Sequence, residues 1–349
     1  MRFILALAAL VGLASGAPLS SLEVRDALCP KSSARNIGRY SKSCSTYSSA
    51  ITCPNGIHGK KNGVVFLVHG TGSTGPETWA NGPYAKLLPN EGFDVCWVTL
   101  PGRSLGDIQE TSEYVAYSIY SLSQKSATGK VGLVTHSQGG LNVQWALDFW
   151  PAMRPLVSAF IPLAAPFKGT DLGKPACLVL GLVTGGCNPS VIQQTSGSNF
   201  LDALNARGNV ALVPTTSIYT ATDEIVQPQL IETSSRLSGA QVVKLQDKCG
   251  PGYIIEHFGI PFSSYAYALA LDALTRQSTA DVQRVQKSSC AWLLDDYLLD
   301  NFDRGPAILG QAVNDLLAVV TGQKVRKEPL LEKYVCDRGD SASYCEKSY

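Results

Sequence analysis

The chain has 349 residues, 45% of them hydrophobic and 16% charged, with 29 lysines and arginines against 28 aspartates and glutamates. So even a balance, with no long run of one sign, argues against a nucleic-acid-binding face or a polybasic membrane patch. Ten cysteines and four histidines, without paired C-x-x-C sets or ligand-spaced histidines, argue against a metal or metal-dependent cofactor and for disulfides.

In chain order, Arg2 precedes an apolar run, Phe3 to Leu13, which ends at Ala14-Ser15-Gly16. A positive start, a short apolar run and small residues after it predict a secretory signal peptide over residues 1–16. The run falls well short of the roughly 20 residues of a membrane span. Residues 17–25 read either as a pro-segment processed at Arg25 or as an ordered tail. The oxidising secretory route then allows up to five disulfides, and residues 26–349 are expected to form a single catalytic domain.

Val64 to Val68 is an unbroken β-branched and aromatic run. Such a run fits a strand buried on both faces of a parallel sheet. Val95 to Leu100, Lys130 to Thr135, Phe160 to Ala164, Ser217 to Thr220 and Val242 to Leu245 repeat the pattern. Helical spacing is predicted over Asp107 to Ser123 and from Leu141 to Phe149. Strands alternating with helices predict an α/β fold with a mostly parallel central sheet and helices on both faces. Gly72 to Glu77 is expected to be a loop. Lys168 to Pro189, unusually apolar for a connection, reads as a lid-like segment or pocket wall, or as a short core helix. Residues 276–349 read as a C-terminal extension packed on the domain, with a helix over Ile308 to Val320.

The chemistry concentrates at Thr135-His136-Ser137-Gln138-Gly139-Gly140. A serine at a sharp turn from a buried strand into a helix is a nucleophile elbow, although Thr135 stands where its pattern has a first glycine. The elbow belongs to the α/β-hydrolase fold, whose chain order is serine, then acid, then histidine. Of His58, His69, His136 and His257, only His257 follows Ser137, which selects it as general base. Asp223, after the Ser217 to Thr220 run, is the expected acid. Glu224 is its neighbour and competitor, and Asp171, Asp202 and Asp247 are less well placed. The oxyanion donors are expected at Gln138, just after the nucleophile, and in the loop His69-Gly70-Thr71-Gly72, with the Thr71 hydroxyl as an extra donor.

The residues that carry the chemistry also carry a likeness. Gly70-Thr71-Gly72-Ser73-Thr74-Gly75-Pro76, the elbow, Ala221-Thr222-Asp223-Glu224-Ile225-Val226-Gln227-Pro228, and Cys249-Gly250-Pro251 leading to His257 resemble the fungal lipase family of Candida antarctica lipase B, over about residues 50–290. The resemblance implies a lipase or esterase with Ser137, Asp223 and His257 as triad, and with Thr71 and Gln138 as oxyanion donors. It implies disulfides Cys53–Cys96 and Cys249–Cys290, and a pocket lined by Val191, Gln194 and Ile225.

There are departures. His136 stands where the similar yeast lipase has tryptophan, on the alcohol side of the site, so a changed substrate contact is expected there. Pro166 stands where that lipase has an acidic residue. Cys177 and Cys187 bracket the lid-like segment as an additional candidate pair. Cys336 and Cys345 in the tail are further disulfide candidates, and Cys29 and Cys44 are left unassigned. The expected activity is secreted triacylglycerol hydrolysis through an acyl-enzyme, by a monomer that meets a lipid–water interface transiently. A carboxylesterase, a cutinase-like polyester hydrolase and a catalytically inactive binding protein are the competing readings.

Overall fold

The computed structural model describes residue 29, residues 33–290 and residues 304–339. The expected signal peptide and pro-segment lie outside the described residues. Seven strands form one sheet: β1 (Ile51–Thr52), β2 (Val64–Val68), β3 (Asp94–Val98), β4 (Val131–His136), β5 (Val157–Leu163), β6 (Thr216–Tyr219) and β7 (Gln241–Lys244). Their spatial order is β1-β3-β2-β4-β5-β6-β7. Every neighbouring pair is parallel except β1 with β3. The six expected strands are present with shifted ends. β1 was not expected, because two residues carry no periodicity.

The continuous apolar runs follow from burial on both faces. Along β2, Val64, Phe66 and Val68 pack with Val115, Ile119 and Leu122 of the helix Ile108–Ser123. Val65 and Leu67, pointing the other way, pack with Leu269, Ala270 and Ala273 of the helix Ser264–Arg276. Successive side chains alternate faces, so neither face tolerates a polar residue, and each buried aliphatic or aromatic contributes about 1.5–3 kcal/mol.

The strand order reverses at β2. β3 lies on one side of it and β4 on the other, so the loops leaving β2 and β4 diverge. A crevice opens at such a switch point, at the carboxyl ends of the strands. Val68 of β2 pairs in register with Thr135 of β4. The Gly70-Thr71 loop and Ser137, two residues further along each strand, are thereby brought together.

Local signals account for the helix ends. Asp107 is the N-cap of Ile108–Ser123, its carboxylate accepting the Gln109 N–H at 2.9 Å. The expected loop Gly72 to Glu77 turns helical halfway, at Gly75–Trp79, because Thr74 caps the Glu77 N–H. Threonine followed three residues later by glutamate is a helix-start signal that glycine content obscures.

Disulfides join Cys29–Cys44, Cys53–Cys96, Cys177–Cys187 and Cys249–Cys290. Cys336 is also disulfide-bonded, and Cys345 lies outside the described residues. Among the described residues no helix is long and apolar enough to cross a membrane.

Candidate active site

Ser137 leaves β4 with φ 53° and ψ −128° and is followed directly by the helix Gln138–Phe149, three residues earlier than the pattern from Leu141 predicted. A non-glycine residue at positive φ is strained and persists only where its surroundings hold it. Here the Ser137 N–H donates to the Leu163 carbonyl at 2.9 Å, and the Ser137 carbonyl accepts from Gly140 N–H at 2.9 Å. The two glycines are steric requirements. A Cβ on Gly139 would lie 2.6 Å from the Val68 carbonyl oxygen, and one on Gly140 would lie 2.4 Å from Ala165 Cβ. Gly70 is as tightly placed, since a Cβ there would be 2.8 Å from Ser137 Cβ. The β2 loop therefore lies against the nucleophile.

Asp223 and His257 meet, Asp223 Oδ2 accepting from His257 Nδ1 at 2.9 Å. Oδ1 of the same carboxylate accepts the N–H groups of Ile225 at 2.9 Å and Val226 at 2.7 Å, which fixes its rotamer. With Nδ1–H turned to Asp223, Nε2 of His257 is left as a base. Burial alone would lower the His257 pKa, but the Asp223 carboxylate outweighs it and the net shift is upward.

Glu224, the competitor for the acid position, does something else. Its carboxylate accepts the backbone N–H of His257 at 2.9 Å. On the other side of the same residue, His136 Nε2–H donates to the His257 carbonyl at 2.9 Å. The general-base candidate is thus held at its ring, its N–H and its C=O. His136 lines the cavity, as expected of a substrate contact, but it is buried, its ring tilted 42° to the His257 ring at a centroid distance of 4.8 Å. Burial, then the neighbouring imidazole of His257, pushes its pKa down to about 3, so it is neutral.

Ser137, His257, His136, Thr71 and Gln194 border one cavity of about 400 Å³, with Val191, Ile225, Val226 and Phe258 in its apolar wall. The candidates named from the sequence are brought together, apart from Gln138, whose side chain points behind the site. Its Oε1 accepts from Thr71 Oγ1 at 2.5 Å and Gln194 Nε2 at 3.1 Å, and its Nε2 donates to Ser104 at 2.7 Å. Opening a helix, the Gln138 backbone N–H has no intrahelical acceptor. The extra donor expected of the Thr71 hydroxyl is a different matter. Its proton is directed to Gln138 Oε1 while its oxygen accepts from Gln194 Nε2 at 2.8 Å.

The lid-like segment forms part of the wall, as one of its two expected readings had it, but the roof of the cavity was missed by sequence reasoning. The lid-like segment contains a helix, Gly173–Thr184, whose Ala176 reaches the wall. The C-terminal helix Arg304–Thr321 roofs the cavity with Ala312, Val313, Leu316 and Val319. Spacings of three and four residues were a legible signal of an apolar face, though not of what it covers. Among the described residues no cluster of histidine, cysteine, aspartate or glutamate is placed to hold a metal ion.

The chain is similar to known proteins in sequence and in fold. No protein-family model matches the chain. Lipase B of Pseudozyma antarctica is 34% identical over 302 residues, covering 84% of this chain and 85% of that protein. The chain belongs to the lipase B family. The crystal structure of Aspergillus fumigatus lipase B superposes with a TM-score of 0.78 at 33% identity, covering 89% of this chain and 75% of that one. Bacillus licheniformis lipase BlEst2 in its mature form shares the fold, with a TM-score of 0.50 at 18% identity over 62% of this chain and 94% of that one. As a lipase B family member the protein is an α/β-hydrolase that cleaves carboxylic esters.

Proposed function

We propose that this lipase B family member hydrolyses acylglycerol esters through an acyl-enzyme on Ser137. Ser137 Oγ attacks the ester carbonyl carbon while His257 Nε2 takes its proton. The tetrahedral oxyanion is held by the backbone N–H groups of Thr71 and Gln138. As the C–O bond to the alcohol breaks, His257 returns the proton to the leaving oxygen. Water then attacks the acyl carbonyl with His257 again as base, which frees the acid. Asp223 keeps the imidazole in the required tautomer and stabilises the imidazolium. The observation that carries this reading is the 2.9 Å Asp223–His257 bond beside the cavity that Ser137 borders.

A lipid substrate is favoured over a short soluble ester by what surrounds the mouth. Leu178, Leu182 and Val183 on one helix and Leu316 and Leu317 on the roof helix are more than half exposed. Neighbouring exposed apolar groups of this kind mark a binding face, here one for transient contact with a lipid–water interface. Because the roof helix lines the cavity, residues 26–349 are read as one catalytic domain, with the extension part of the site. The disulfides suit secretion.

Replacing Ser137 with alanine should abolish hydrolysis of emulsified triacylglycerol and labelling by a fluorophosphonate probe, while the near-ultraviolet circular dichroism stays native. Loss of a triad serine costs on the order of 10⁶ in kcat. Activity above a few per cent of wild type would overturn the assignment.

A further inference from the structure

The roof helix is packed the wrong way round for a structural helix. Between residues 309 and 321 its buried positions are Gln311, Asp315 and Ala318, spaced four and three residues apart on one face. Leu309, Val313, Leu316, Leu317 and Val320 are exposed instead, between 40% and 66%. A helix fixed to a body normally buries its apolar stripe, whereas the seam under this one is polar.

What crosses the seam is specific. Gln311 Nε2 donates to Ser73 Oγ and Thr78 Oγ1, both at 3.3 Å. Asp315 Oδ1 lies 3.6 Å from an Arg103 guanidinium nitrogen, and the same nitrogen is 2.6 Å from Glu77. Arg103 Nε also donates to the Gly72 carbonyl at 2.5 Å, and the Gly72 N–H donates to the Arg103 carbonyl at 2.8 Å. Gly72 packs directly under the helix, since a Cβ there would lie 2.7 Å from the Asp315 carbonyl oxygen. Gly72 and Ser73 belong to the loop that begins at Gly70-Thr71, beside the nucleophile, and Glu77 to the helix that follows it, Gly75–Trp79.

We propose that Asp315 and Gln311 are positioning residues, a polar latch that holds the roof helix over the catalytic cavity as a detachable wall and, through Arg103 and Ser73, braces the loop that carries the Thr71 N–H. A polar seam opens to water at little cost, because its groups exchange protein partners for water. An apolar seam would not. The closed roof meanwhile leaves leucines in solvent, so little hydrophobic burial opposes its release.

The latch carries its own pH dependence. Asp315 is the only ionisable side chain between residues 309 and 321. Its carboxyl is raised to about 7 by burial, which together with Glu77 outweighs the attraction of Arg103. Across the cavity it acts in turn on His257, whose pKa it raises. In an open state, exposed to water, the carboxyl returns to an ordinary value near 4. Between about pH 4 and 7 the closed state thus binds more protons than the open one. Opening becomes easier as pH rises through that window and levels off above it.

Hydrogen exchange on the whole protein tests this without reference to catalysis. Protection of amides 309–321, corrected for the intrinsic exchange rate, should fall at least about tenfold from pH 5 to pH 7.5. Protection in the helix Gln138–Phe149 should not. The Asp315→Asn variant, which cannot ionise, should lose that pH response. At pH 8, where the wild-type carboxylate is ionised and attracts Arg103, its kcat for a short soluble ester should be about tenfold below wild type with KM changed less than threefold, since the braced loop meets only the developing oxyanion. The kcat arm rests on the proposed role of Thr71, whereas the exchange arm does not. Survival of activity in Ser137→Ala would overturn the catalytic reading and leave the exchange result standing. Protection of 309–321 that ignores pH in the wild type, an unchanged pH response in Asp315→Asn, or an unchanged kcat in that variant would each overturn the proposal.

Discussion

Replacing Asp223 with asparagine tests the triad through a tautomer. In the wild type Oδ1 accepts two backbone N–H groups, from Ile225 at 2.9 Å and Val226 at 2.7 Å, and Oδ2 accepts from His257 Nδ1 at 2.9 Å. An asparagine has one oxygen and one NH₂ for these places. With its oxygen on Ile225 and Val226 it keeps two hydrogen bonds, and its NH₂ then faces His257 Nδ1. The reverse orientation sets NH₂ against two N–H donors and loses both bonds, at about 1 kcal/mol each before the repulsion. The amide is therefore driven to donate to Nδ1, which moves the imidazole proton to Nε2, the atom that must accept from Ser137. A wrong tautomer of this kind costs roughly 10⁴ in kcat, or about 5.4 kcal/mol of transition-state stabilisation. The assay is kcat on a p-nitrophenyl ester, with active sites counted by fluorophosphonate titration. Glu224→Gln is the control. Its amide oxygen still accepts the His257 N–H, so its loss should stay within about fivefold. A loss below about a hundredfold in Asp223→Asn, or a larger loss in Glu224→Gln, would refute the assignment of the acid.

The Asp223-dominated rise in the His257 pKa sets the acid limb of kcat/KM. The base works deprotonated, so activity falls as pH drops through that pKa, with a midpoint above the ordinary histidine value of about 6.5; a midpoint below 6 would contradict it. His136→Gln retains an N–H for the His257 carbonyl and should keep activity within about tenfold. His136→Leu leaves that buried carbonyl unpaired and should cost about 1–3 kcal/mol of stability in urea unfolding. His136→Trp must fit an indole beside the His257 ring, so about 1–3 kcal/mol of overpacking should accompany any change in enantiomer ratio on 1-phenylethyl esters. Cys177→Ser with Cys187→Ser opens a loop of sequence separation 10. It should lower stability by about 2.5 kcal/mol, against about 4 kcal/mol for opening Cys53–Cys96, separation 43, with both read by denaturant melts under matched conditions.

How much of this protein was legible in its sequence depends on the range of the interactions involved. Strands β2 to β5 were readable because burial on both faces forces an unbroken apolar run, and that constraint is written locally, whereas edge strand β7 buries only Val243. The elbow was readable as a pattern of strand, serine and paired glycines, but the atoms that require Gly139 and Gly140 come from other strands: the Val68 and His69 carbonyls at the end of β2 and the Ala165 methyl group after β5. His257 followed from chain order, since no other histidine lies beyond Ser137. Position after the strand favoured Asp223 over Glu224, although adjacent carboxylates carry nearly the same local signal. Only the folded turn sends one to the imidazole ring and the other to the backbone N–H. Likewise His136 reads as a pocket residue in sequence, yet tertiary packing commits its Nε2 to a carbonyl 121 residues away. The roof helix shows the limit most clearly. Its apolar spacing declared a face, and ordinarily that face would be buried. The tertiary structure instead buries Gln311 and Asp315 against Ser73 and Arg103 and leaves the leucines at the cavity and in solvent. Periodicity records which residues share a side of a helix. Which side meets the protein body is decided by partners more than 200 residues away in the chain.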